Sequence, residues 1–115
     1  MRSVKIDKPL SKRQLVDARA LLEKHWTQGT YGVSGHPEMG LCVAGACGYV
    51  ASGGEGTYVP NTAVVARQLG IPADHGDVEY GYHVASVEDW NDVTGRTKDE
   101  VLALFDKVIA ATEGD

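Results

Sequence analysis

Residues 40–51, Gly-Leu-Cys-Val-Ala-Gly-Ala-Cys-Gly-Tyr-Val-Ala, constrain the fold more than any other stretch of the chain. They carry no charge and no proline, and they are apolar on every side of a helical wheel. A helix of that kind belongs in an interior, because any surface placement leaves an apolar face in water. Gly40, Ala44, Gly48 and Ser52 recur every fourth residue. On a helix they make a ridge of small side chains, which lets a second helix approach closely. Gly45 and Gly48 each cost about 1 kcal/mol of helix propensity. Burying Leu41, Val43 and Val50 returns roughly 1.5–3 kcal/mol apiece. The stretch therefore predicts a buried central helix over residues 39–52.

Flanking signals supply its neighbours. Ser11-x-x-Gln14 is a capping box, and Leu15, Ala18, Leu22 and His25 form one stripe, which predicts a helix over 12–25. Trp26 to Gly32 holds two glycines and two aromatics and reads as a structured turn. Gly53-Gly-Glu-Gly56 reads as a flexible glycine linker. It lacks the Lys-Ser/Thr of a phosphate-binding loop. Residues 61–69 predict a short helix that starts near Pro60 and stops at Gly70-Ile71-Pro72. Val78, Tyr80, Tyr82 and Val84 alternate with polar residues and allow one short strand, with Val33 or Tyr58-Val59 as the only candidate partners. Ser86 caps a short helix that includes Trp90, and Val93 to Arg96 breaks it. Thr97-x-x-Glu100 is the best capping box of the chain. It launches a helix over 98–112 with Val101, Leu104, Phe105 and Val108 on one face. These elements predict a mainly α fold: a compact domain of four to five helices around the buried helix, with at most a small β element.

At 115 residues this is one domain, 1–115, with residues 1–10 as an extended N-terminal arm. Such a length buries a core without metal or disulfide staples. Eleven basic against sixteen acidic residues give a net charge of −5. That balance, with no basic stripe, argues against nucleic acid or an anionic membrane as partner. The N-terminus alternates polar and charged residues, so no signal peptide is expected. The longest apolar run, about a dozen residues, is too short to cross a bilayer. Cys42 and Cys47 on one helix are separated by a rise of about 7.5 Å. That is beyond disulfide reach. Two buried thiols in a reducing cytoplasm are expected.

Three groups of residues bear on chemistry. Cys42, His83 and Asn91 or Asp92 stand in an order used by cysteine hydrolases and transglutaminase-like folds. A thiol in the first turn of a helix feels the dipole, a histidine could deprotonate it, and the amide of Asn91 or the carboxylate of Asp92 could orient the histidine. Burial on an all-apolar helix works the other way and raises the thiol pKa. Asp74, His75, Asp77, Glu79 and His83 carry metal-ligand atoms but fit no ligand spacing, and a solvated acidic loop is the better reading. Neither a metal nor a cofactor is expected. Trp26-Thr-Gln28-Gly and Trp90-Asn91-Asp92-x-x-Gly-Arg96 set tryptophans beside polar groups that a simple core does not need. Gln28, Asn91 and Asp92 could satisfy backbone groups at helix ends, and Arg96 could pair with Asp92. As structural latches these residues join helices. As a recognition surface, Trp26, Gln28, Trp90, Asn91, Asp92 and Arg96 would bind a partner, since Trp, Tyr and Arg dominate interface hot spots.

Trp26-Thr-Gln-Gly29, Leu41-Cys-x-x-Gly-Ala46, and Trp90-Asn-Asp92 with Gly95-Arg-Thr97 and the following Glu-Val-Leu-Ala-Leu-Phe helix resemble an uncharacterised family of small actinobacterial and actinobacteriophage proteins, a domain of unknown function. The resemblance covers most of 12–110, and the chain departs from it in Tyr- and Gly-rich inserts around 53–62 and 73–83. It implies no reaction and no catalytic residue. It implies an actinobacterial or phage source and a cytoplasmic accessory role. The expected function is non-enzymatic binding of a protein partner, a host factor if the source is a phage. The alternative is a cysteine-dependent hydrolase or transferase using Cys42. A homodimer is compatible with the small-residue ridge.

Overall fold

The computed structural model describes residues 4–33, 35–59, 62–71 and 86–114. Five α-helices lie within them: α1 Lys12–His25, α2 Val43–Ala51, α3 Ala63–Leu69, α4 Ser86–Asn91 and α5 Lys98–Ala111, with a single 3₁₀ turn at Pro37–Met39. The fold is mainly α, and the described residues form no strand, only isolated bridges that include Trp26 with Leu41 and Val33 with His36. The predicted strand over 78–84 and the Pro60-Asn61 entry to the short helix lie outside the described residues.

The terminal helices form where their caps dictate. Ser11 accepts from the Gln14 N–H while Gln14 returns a bond to the Ser11 backbone, and Thr97 and Glu100 repeat the arrangement on α5. Such a pair satisfies two otherwise orphan donors at a helix start. α1 buries Leu15, Ala18 and Leu22, and α5 buries Val101 and Phe105. α3 ends on Gly70 in the left-handed region, φ +72°, with the Ile71 N–H returning to the Ala66 carbonyl. Residues 4–10, ahead of α1, are part of the core: Val4 and Ile6 are buried, and the Val4 N–H donates to the Tyr58 carbonyl at 2.7 Å.

The central helix is shorter than its apolar run. α2 begins at Val43, four residues after the predicted start, because Gly40 sits at φ +101° and Leu41 is engaged elsewhere. The Leu41 N–H donates to the His25 carbonyl and its own carbonyl accepts from the Thr27 N–H, both at 2.9 Å. That clip ties the entry of α2 to the exit of α1 and leaves Cys42 as the N-cap. Every residue from Leu41 to Gly48 is buried.

Its small residues serve a different neighbour from the one the spacing suggests. Gly40 lies outside the helix, and a side chain on Gly45 would overlap the Tyr31 carbonyl oxygen. A Cβ on Gly48 would fall 2.9 Å from Val59 Cγ2 and 3.0 Å from the Thr57 carbonyl oxygen. The backbone laid against these glycines is non-helical chain, at Tyr31 and at Thr57, not a second helix. α1 does pack on α2, as it does on α5. The glycine loop after α2 is also more ordered than a linker. The Ser52 hydroxyl accepts from the N–H groups of Glu55 and Gly56, at 3.1 and 3.0 Å, and closes the turn.

Candidate functional site

The two tryptophan motifs meet across one buried side chain. Asn91, at the end of α4, is 0% exposed. Its Oδ1 accepts from Trp26 Nε1 at 2.7 Å and from the Val43 N–H at 3.0 Å. Its Nδ2 donates to the Thr27 carbonyl at 3.1 Å and to Asp92 Oδ1 at 2.9 Å. A primary amide has two donors and an acceptor with two lone pairs, so this one is saturated. The contacts join the exit of α1, the first turn of α2 and the end of α4.

The neighbouring motif residues extend the latch. Gln28 Nε2 donates to the carbonyls of Asn91 and Val93, at 2.9 and 3.0 Å, which satisfies acceptors left open where α4 stops. Asp92 Oδ1 accepts from the Gly29 N–H at 3.0 Å. Arg96 does not pair with Asp92. Its Nε donates to the Trp90 carbonyl at 2.9 Å, its Nη1 meets Glu100 at 3.2 Å, and its guanidinium lies 3.9 Å from the Trp90 ring centroid. The helical start at Lys98 puts Glu100 one turn along from Arg96, while Asp92 is drawn toward Gly29 on the other side of the turn.

Cys42 sits beside this latch at the N-terminus of α2. Its Sγ accepts from the Gly45 N–H at 3.3 Å, so the thiol is itself the helix cap. Burial pushes its pKa up to about 11, and the carboxylates of Glu88 and Asp92 act in the same direction, against the lowering by backbone N–H groups. Cys47, also buried and also a free thiol, is pushed up to about 12. Two of the backbone donors at this helix end are engaged: Val43 N–H by Asn91, Gly45 N–H by Sγ. His83 lies outside the described residues, as do Asp74, His75, Asp77 and Glu79. Among the described residues no three metal-ligating side chains stand together.

Next to Cys42 is a cavity of about 90 Å³, lined by Gly29, Thr30, Tyr31, Cys42, Glu88 and Asp92. The Tyr31 hydroxyl donates to Glu88 Oε1. Burial raises the Glu88 pKa above the usual carboxylate range, opposed by that hydrogen bond, and burial likewise raises Tyr31. Sequence reasoning found Cys42 and Asp92 here but missed Tyr31 and Glu88. Glu88 reads as one of two ordinary first-turn acids beside Asp89, and Tyr31 as a turn aromatic. Only the crossing of Tyr31 over Gly45 brings the pair together, and nothing local encodes that crossing.

The chain belongs to a family of unknown function, DUF6197, whose model matches residues 9–111. No match is found among curated proteins or solved structures. No helix of the described residues is long and apolar enough to cross a membrane.

Proposed function

We propose that the chain is a non-catalytic accessory protein that binds another protein through the corner between α4 and α5. The observation that carries this reading is Val93, 47% exposed on the turn between Trp90 and Arg96. That turn is held from one side by Gln28 and from the other by the Arg96 bond to the Trp90 carbonyl. An apolar knob on a pre-set frame, flanked by a stacked Trp and Arg, loses little freedom on binding. The residues that fix it supply rigidity: Asn91, Gln28, Asp92 and Arg96 are occupied within the chain, so Val93, beside the half-buried Trp90, is left to touch a partner. What supports binding over a Cys42 hydrolase or transferase is the thiol, which is shielded and held protonated at neutral pH. Buried free thiols fit a reducing, cytoplasmic setting. In a phage, the partner is a host factor.

The test is capture from extract of the source cell by the tagged chain and by two surface variants. Val93→Glu should abolish capture while the melting curve stays unchanged. Val16→Glu, on an equally exposed valine of α1, should capture normally. Equal capture by the wild type and Val93→Glu overturns the reading.

A further inference from the structure

α1 buries Leu15, Ala18 and Leu22 and turns its opposite face to solvent. Asp17, Ala20 and Lys24 are exposed there. Alongside them runs a groove of about 490 Å³, walled by Leu21 of α1 and by Tyr49 and Val50 of α2, all three half-buried. The polar groups of this face are unused within the chain. Arg19, on the same helix, pairs with Glu23 and Asp106. Neither Asp17 nor Lys24 has an ion-pair partner among the described residues, and the Tyr49 hydroxyl has no hydrogen-bond partner among them.

The spacing of the two charges says what fits. Asp17 and Lys24 are seven residues apart, close to two turns, so they lie nearly in line, about 10.5 Å apart along the axis, with Ala20 and Leu21 midway. A two-fold rotation about that midpoint exchanges the two ends. It sets Asp17 of each copy against Lys24 of the other, with the small Ala20 at the crossing, where two helix backbones come closest. A parallel arrangement sets acid against acid and base against base, which repulsion disfavours. The pattern is thus complementary to itself reversed, as an interface between two identical surfaces requires.

We propose that the exposed face of α1 is a homodimer interface, on which a second copy of this chain packs its own α1 antiparallel, Asp17 against Lys24. Exposed ion pairs add little affinity by themselves. Covering Leu21, Val50 and the Tyr49 ring supplies the attraction, and the charges set orientation and register. The interface goes beyond the partner surface at Val93, which lies on the turn between α4 and α5: each stands if the other fails.

Sedimentation equilibrium of the full chain over a range of concentrations tests it. The wild type should follow a monomer–dimer equilibrium. Lys24→Asp leaves two acids at the paired positions, and Asp17→Lys leaves two bases. Each should weaken self-association at least about tenfold, since two attractive pairs become repulsive at once. Both positions are exposed, so both variants should melt as the wild type does. Mixed one to one, the two variants should associate with each other. The double exchange, Asp17→Lys with Lys24→Asp, should restore self-association. Val93→Glu should dimerise as the wild type does, which separates this face from the partner corner. A wild type that is monomeric at every concentration, leaving the groove to a different ligand, overturns the proposal. So does undiminished dimerisation of either single variant, or failure of the mixed pair to associate.

Discussion

Replacing Asn91 by alanine should cost more stability than any other single polar substitution among the described residues. The side chain is fully buried and joins three separate segments. Truncation strands the Trp26 indole N–H, the Val43 N–H and the Thr27 carbonyl. A stranded buried group costs about 1–3 kcal/mol. Allowing for relaxation toward water, the sum is about 3–5 kcal/mol. For a chain of this size about 1 kcal/mol moves the melting point by about 4 °C, so the expected drop is about 12–20 °C. Asn91→Asp separates the two halves of the latch. It keeps the acceptor for Trp26 and Val43, loses the donor to Thr27, and sets a second carboxylate against Asp92. It should be destabilised at neutral pH and recover toward acid, where a protonated Asp donates to Thr27 again. Thermal melts and urea titrations of both variants, followed by Trp fluorescence, measure these differences. A cost below about 1 kcal/mol for Asn91→Ala would show that water replaces the amide freely and that Asn91 is not the joint.

Three further outcomes follow from the same geometry. Gly45→Ala would stabilise an open helix by about 1 kcal/mol. Here it should destabilise by about 1–3 kcal/mol, since the added carbon meets Tyr31 backbone; a rise in melting point refutes the close crossing. Neither Cys42 nor Cys47 should react with an aromatic disulfide reagent at neutral pH until denaturant is added, because burial holds both thiols protonated; labelling of native Cys42 within seconds contradicts this. Glu88 has its folded pKa raised, so its contribution is complete below the pKa of the unfolded chain and is lost as pH rises through the higher folded value. Stability should therefore fall on that rise, and Glu88→Gln should flatten the limb; an identical pH profile in the variant refutes the assignment.

What the sequence made legible was local. Both capping boxes, the Gly70 stop and the buried stripe of α1 depend on residues within a turn or two of each other, and each forms as its spacing dictates. The start of α2 was not legible, because hydrophobic periodicity does not register a non-local clip. Leu41 is apolar enough for a helix, but its backbone bonds to His25 and Thr27. The Trp–Asn–Asp and Trp–Thr–Gln–Gly motifs announced polar work near helix ends. Their partners stand more than sixty residues apart in sequence, so the pairing itself carried no local signal.

The small residues of α2 show why such distance matters for the site. Periodicity alone ranks Gly45 as an ordinary apolar-face position, yet it is where the Tyr31 backbone crosses the helix. That crossing fixes the Tyr31 ring beside Glu88, which in turn closes one wall of the cavity over Cys42. A glycine in a core helix is thus what brings an acid, a phenol and a thiol to one place. The thiol's resistance to ionisation has the same origin: burial under the crossing chain accounts for most of it, and the carboxylates of Glu88 and Asp92 add to it.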